Sequence, residues 1–194
     1  RLLQALRENG AQVIDLEALA RHRSSVLGAL PGQPQPCQKR FDMLLWDSLR
    51  QLDPTKPVYL ESESKKVGNL SIPATLIEHM RHSPCLDVQL PQAERVELLL
   101  EDYAYLTQHV DYFCERLAAL TALKGRAVVQ AWQEQARSGQ FASVVNDLLE
   151  QHYDPAYLQS MQRNFARFDQ AQNLQPANRS HAAMRALAAQ LMAQ

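Results

Sequence analysis

Two short apolar runs in this chain end in carboxylates: Val13-Ile14-Asp15-Leu16-Glu17 and Val58-Tyr59-Leu60-Glu61-Ser62-Glu63-Ser64. The first is followed by Ala20-Arg21-His22-Arg23, and the second by Lys65-Lys66 and Gly68. Carboxylates can move protons or hold Mg²⁺ through water. Arginine offers a planar fork of donors to phosphate, and histidine exchanges protons near neutrality. Asp15, Glu61 and Glu63 are therefore the catalytic candidates, with Glu17, His22, Arg23, Ser64 and Lys65 as candidate phosphate or substrate contacts. Arg95, at the start of a helix after a third strand, could face the same edge.

Each of these has a plainer reading. Glu17 suits the first turn of a helix, where the dipole favours a carboxylate. Glu61 to Ser64 could be a solvated loop, and His22-Arg23 a basic one. Arg95 could pair on the surface with Glu94 or Glu97, a contact worth little. His79, His82 and Cys85 carry zinc-ligand types but lack an evident fourth ligand, so no metal residue is assigned. Cys37 opens a helix without a base or acceptor nearby and reads as inert. Trp46 and Trp132 fit apolar helix faces and are expected in the core.

The elements that must position these residues alternate up to about residue 104. A helix over Arg1 to Asn9 closes at Gly10, and the 12–16 strand follows. A polar stretch from Arg21 to Pro36 contains Pro31, Pro34 and Pro36. An amphipathic helix from Gln38 to Leu52 carries Phe41, Leu44, Leu45, Leu49 and Leu52, and stops at Asp53-Pro54. The strand at 57–61, a helix from Pro73, a third strand at 85–90 and a helix with Val96 to Leu106 complete the set. Short apolar strands separated by helices indicate an α/β fold with a mainly parallel sheet, whose ligands gather beyond the strands' carboxyl ends. The expected organisation is an α/β P-loop NTPase-like core over 1–104, an all-helical region over 105–168 without strands, and a Gln/Asn-rich linker with a C-terminal helix over 169–194. Ser180 is the expected N-cap of that helix.

With 194 residues and a formal net charge of −1, the chain can bury a core but shows no global basic field for nucleic acid. Cys37, Cys85 and Cys114 are odd in number and unrelated in spacing, which suits reduced thiols in a cytoplasmic protein. No membrane-length apolar run or signal peptide is present. Neither GxxxxGK[ST] nor GxGxxG occurs, and the chain reads as a βα unit entered after its first strand and phosphate-cradling turn.

In combination, Asp15-Leu16-Glu17-Ala18-Leu19-Ala20-Arg21-His22-Arg23, Gln35-Pro36-Cys37-Gln38, Glu61-Ser62-Glu63-Ser64 with Gly68, and His152-Tyr153-Asp154-Pro155-Ala156-Tyr157 resemble the tRNA 2-selenouridine synthase family. The likeness runs over about residues 1–160. It implies a P-loop domain, here without its Walker A loop, joined to an N-terminal rhodanese-like domain. It also implies action on the wobble uridine of tRNA, exchanging the sulfur of 2-thiouridine for selenium from selenophosphate. An S-geranylated intermediate made from geranyl diphosphate is part of that chemistry, with Mg²⁺ admitted at the diphosphate. Gln38 joins the substrate-contact candidates through this likeness. Ser24 stands where the family usually has Gly, and Cys37 where it often has Ser. Without the rhodanese cysteine and the P-loop Lys and Ser/Thr, residues 1–194 are expected to be inactive alone. A nucleotide-binding, kinase-like module that docks tRNA without covalent catalysis is the alternative, and a scaffold with a vestigial site is the blandest one.

Overall fold

The computed structural model describes residues 1–25, 27–29 and 32–193. Pro31 of the polar stretch and Gln194 of the tail lie outside the described residues. The chain is a mixed α/β protein that divides into two compact units, residues 1–89 with 165–194, and Leu90–Asn164. This division follows contacts, and it places the chain's last 30 residues with its first 89.

The first unit opens with α1 (Leu2–Glu8), β1 (Gln12–Ile14) and α2 (Leu16–Ala20), followed by α3 (Gln38–Arg50) and β2 (Val58–Leu60). β-branched Val13, Ile14 and Val58 favour extended backbone. β1 and β2 pair in parallel, Ile14 opposite Leu60, so the residues that follow them leave the ladder side by side. Gln12 secures the register. Its amide donates to the Asp53 carbonyl at 3.1 Å and accepts from the Asp53 N–H at 2.6 Å. β3 (Lys66–Val67) and β4 (Leu70–Ser71) form an antiparallel hairpin, and α4 (Ala74–His82) follows. Gly68 turns that hairpin at φ 59°, and a Cβ there would lie 2.3 Å from Gln35 Oε1. Only glycine combines that left-handed backbone with so close an approach.

The third expected strand exists as β5 (Leu86–Val88) but does not join β1 and β2. It pairs in parallel with β6 (Gln172–Leu174) in a separate two-stranded ladder. The expectation of no strand beyond 105 is thereby corrected. Gln172 and Asn173 are exposed and only Leu174 is buried, so the strand carried almost no apolar signal. α12 (His181–Met192) closes the unit; as expected, Ser180 Oγ caps it by accepting from Ala183 N–H at 3.2 Å. It packs on α1 through Met184, Leu187 and Ala188, which are buried like Ala5 and Leu6.

The second unit is helical: α5 (Gln92–Asp102), α6 (Ala104–Gln108), α7 (Val110–Ala118), α8 (Thr121–Lys124), α9 (Arg126–Arg137), α10 (Phe141–Leu148), a π-helical turn at Leu149–Tyr153 and α11 (Asp154–Asn164). Phe113, Leu117, Trp132, Val144 and Leu148 form its core. Trp132 also gives its indole N–H to Asp147 at 3.2 Å, which satisfies its polar edge. Trp46 is the exception to the core expectation, being 65% exposed with the Arg50 guanidinium 5.3 Å from its ring centre. α3 buries Phe41 and Leu45, four apart, and Trp46 is turned off that line by the helix's rotation per residue. Among the described residues no helix is long and apolar enough to cross a membrane.

Candidate functional site

Because β1 and β2 run in register, Asp15 and Glu61 emerge next to each other. Asp15 is the N-cap of α2, its Oδ1 accepting from Ala18 N–H at 2.8 Å. Glu61 reaches across and its Oε2 accepts from Leu16 N–H at 3.0 Å. Two carboxylates thus satisfy donors left open by one short helix. Burial chiefly pushes Glu61 up to about 8, and the neighbouring Asp15 carboxylate adds to the shift.

Glu17 sits in the first turn of α2 and is pushed up to about 7, first by burial and then by the charges of Glu63 and Asp15. Arg23 opposes the shift without cancelling it. Glu63 is likewise raised by burial, although Ser24 Oγ donates to its Oε2 at 2.5 Å. Asp15, Glu17, Arg23, Glu61 and Glu63 therefore form one electrostatic cluster at the carboxyl ends of β1 and β2.

A tight loop delivers Arg23 to that edge. α2 ends at Arg21, in left-handed backbone at φ 50°, and His22 makes an isolated antiparallel bridge to Ala29. Arg23 N–H donates to the Gly28 carbonyl at 2.9 Å. A Cβ on Gly28 would stand 2.2 Å from the Arg23 carbonyl oxygen, so the turn admits glycine alone.

Other candidates serve as supports. Gln38 Nε2 donates to the Ser71 carbonyl at 2.9 Å and its Oε1 accepts from Ser71 N–H at 2.8 Å, clamping the hairpin onto α3. Ser64 Oγ donates to the Lys66 carbonyl at 2.9 Å and shapes the entry to β3. Lys65 lines a cavity beside α4. Arg95 belongs to the second unit, where both arms of its fork are taken up by Asp154, one at 2.8 Å. Its partner Asp154 lies 59 residues away in the chain.

Sequence reasoning missed Ser24 as the donor to Glu63, and Gln35, which donates to the Ala20 and Val67 carbonyls at 3.2 and 3.0 Å. Gln35 was singled out only as part of the Gln35-Pro36-Cys37-Gln38 segment, not for these bonds. Among the described residues no group of three or more His, Cys, Asp or Glu side chains is arranged to hold a metal ion.

Known proteins share this segment. The chain is 38% identical over 102 residues to a tRNA 2-selenouridine synthase of Nitrosomonas europaea, covering 51% of this chain and 26% of that protein. It is 39% identical over 110 residues to the enzyme of the same name from Nitrosomonas eutropha, covering 55% of this chain and 28% of that protein. The matched segment thus spans about a quarter of the length of those relatives. No solved structure matches the chain. The family model described as the tRNA 2-selenouridine synthase AAA domain matches residues 1–120, which takes in the whole strand-end cluster. The chain belongs to that family.

Proposed function

We propose that this chain is part of a transferase that modifies tRNA, converting wobble 2-thiouridine to 2-selenouridine through an S-geranylated intermediate. The match over residues 1–120, spanning both acidic strand ends, carries this reading. In it the chain contributes the diphosphate- and tRNA-binding P-loop domain. Selenophosphate and geranyl diphosphate are the co-substrates, an N-terminal rhodanese-like domain is the covalent neighbour, and the setting is cytoplasmic. Residues 1–194, which contain no GxxxxGK[ST], are inactive by themselves in this reading.

The cluster's electrostatics suit such chemistry. Geranylation of the thiocarbonyl sulfur releases diphosphate, whose charge needs donors where it develops. Arg23 can supply a fork, and Glu17 near pKa 7 can present a carboxyl O–H to a phosphate oxygen at neutral pH. Once ionised, Glu63 can accept a proton from an attacking or departing group, with Ser24 fixing its orientation. Asp15 and Glu61 act through α2, holding its first turn so that Glu17 stays at the edge.

The test is the full-length enzyme with 2-thiouridine tRNA, geranyl diphosphate and selenophosphate, reading nucleosides by mass spectrometry. Glu63→Gln should depress both geranylation and selenium exchange while leaving the fold intact. Arg23→Ala should chiefly raise the KM for the phosphate-bearing substrate. Wild-type rates and affinities in both variants would remove the cluster from the reaction.

A further inference from the structure

α3 buries Phe41 and Leu45 and leaves a second apolar line in the open. Met43, Trp46 and Leu49 are 54%, 65% and 39% exposed. Three large apolar side chains exposed on one 13-residue helix make a patch rather than a scatter. A helix turns by about 100° per residue, so Met43 and Leu49 stand within about 60° of Trp46, one on each side. Asp42 and Arg50, also exposed, fall within the same arc. Phe41 and Leu45 are centred roughly 120° away, on the side that meets the core.

This stripe is complementary to itself. Asp42 and Arg50 stand four residues before and after Trp46, and Met43 and Leu49 three before and after. Lay two such helices antiparallel with their Trp46 residues level. Asp42 of each then shares a layer with Arg50 of the other, and Met43 with Leu49. A two-fold axis makes each of these contacts twice. Arg50 is already drawn to that face: its Nε donates to Asp47 Oδ1 at 2.7 Å, and its guanidinium lies 5.3 Å from the Trp46 ring centre. Asp42 is steadied by Gln38, whose Nε2 donates to its Oδ1 at 2.8 Å.

Trp, Met and Arg are the side chains that interfaces between proteins favour. Asp42 and Asp47 beside the ring oppose a nucleic-acid phosphate or an anionic lipid surface. We infer that the exposed face of α3 is an interface between two copies of this protein, packed antiparallel about Trp46. A single helix pair is small for an interface, so the association is weak, with a Kd on the order of 10 μM. None of the strand-end carboxylates belongs to this face, and the inference stands apart from the proposed function.

Analytical ultracentrifugation of the full-length protein, over about two decades of concentration around that value, tests it. The wild type should pass from monomer to dimer. Trp46→Ser should weaken the dimer at least roughly ten-fold, and so should Asp42→Arg or Arg50→Asp alone, since each sets like charges in one layer. Mixing the Asp42→Arg and Arg50→Asp proteins should restore a dimer within about three-fold of the wild-type affinity, because every layer again holds opposite charges. That rescue also shows that both variants are folded, and only an interface between copies predicts it. A monomer at every concentration would overturn the inference. So would a dimer indifferent to all three substitutions, or two charge variants that stay apart when mixed. Binding of single-stranded RNA that is lost in Trp46→Ser, with the protein monomeric throughout, would make the face an RNA contact and overturn it too.

Discussion

At the ends of β1 and β2, Asp15, Glu17, Glu61 and Glu63 form a chain of neighbouring carboxylates with Arg23 acting on Glu17, whereas Arg95 and Asp154 in the helical unit match one to one. The outcomes are opposite. Asp154 satisfies Arg95 with two hydrogen bonds and raises its already high pKa further, so the guanidinium stays charged. At the strand ends, burial dominates, and Glu17, Glu61 and Glu63 are all held above the usual carboxylate range. A matched pair of charges fastens helices together. An excess of half-buried acids stores proton affinity that a ligand can draw on.

Removing a charge should therefore have opposite signs in the two places. The largest effect is expected from Arg95→Ala, which leaves Asp154 without its fork. The side chains are 32% and 41% exposed, so the loss is about 1–2 kcal/mol rather than the larger cost of a fully buried pair. Chemical denaturation would measure it, and Arg95→Lys should recover only part, since lysine cannot reproduce two parallel bonds. Full recovery by lysine would reduce the pair to simple Coulomb attraction.

Glu17→Gln should instead stabilise the protein at alkaline pH. In the fold this carboxyl titrates near 7 against an ordinary 4.5, so the folded state binds the proton more tightly. The stability gained by that preference is complete below about pH 4.5 and is lost as pH rises through about 7. At pH 8 the wild type carries an ill-solvated charge that glutamine lacks. The variant should be more stable there by on the order of 1 kcal/mol, discounting for partial exposure, and less dependent on pH. A thermal-midpoint series from pH 5 to 8 showing parallel curves would break the contrast.

The smallest effect belongs to Ser24→Ala. Its hydroxyl favours the ionised form of Glu63, so its loss should move the Glu63 titration further upward, with little change in stability. A downward movement would assign the serine a different role.

Much of this contrast was legible in the residues and some was hidden for physical reasons. Val13-Ile14 and Val58-Tyr59-Leu60 announce paired strands because β-branched and apolar residues fit a half-buried ladder, and the acids after them mark its edge. Ser180 announced α12 because its cap bond is local. β6 stayed hidden since Gln172 and Asn173 contribute hydrogen bonds to β5 but no apolar pattern. Trp46 misled because hydrophobicity alone does not say which side of α3 faces the core. Ser24 with Glu63 and Arg95 with Asp154 are 39 and 59 residues apart, distances at which spacing along the chain carries no information about contact. Roles that depend on neighbours in sequence could be read, and roles that depend on neighbours in space could not.

The central claim is that the carboxyls at the ends of β1 and β2 hold protons close to neutrality. Carbon-detected NMR of the side-chain carboxyl resonances, followed from about pH 3 to pH 9, tests it directly. Glu17 should titrate near 7 and Glu61 near 8, with Glu63 also above the ordinary 4.5. If all of them titrate together near 4.5, the strand ends are ordinary solvated acids and the account of the site fails.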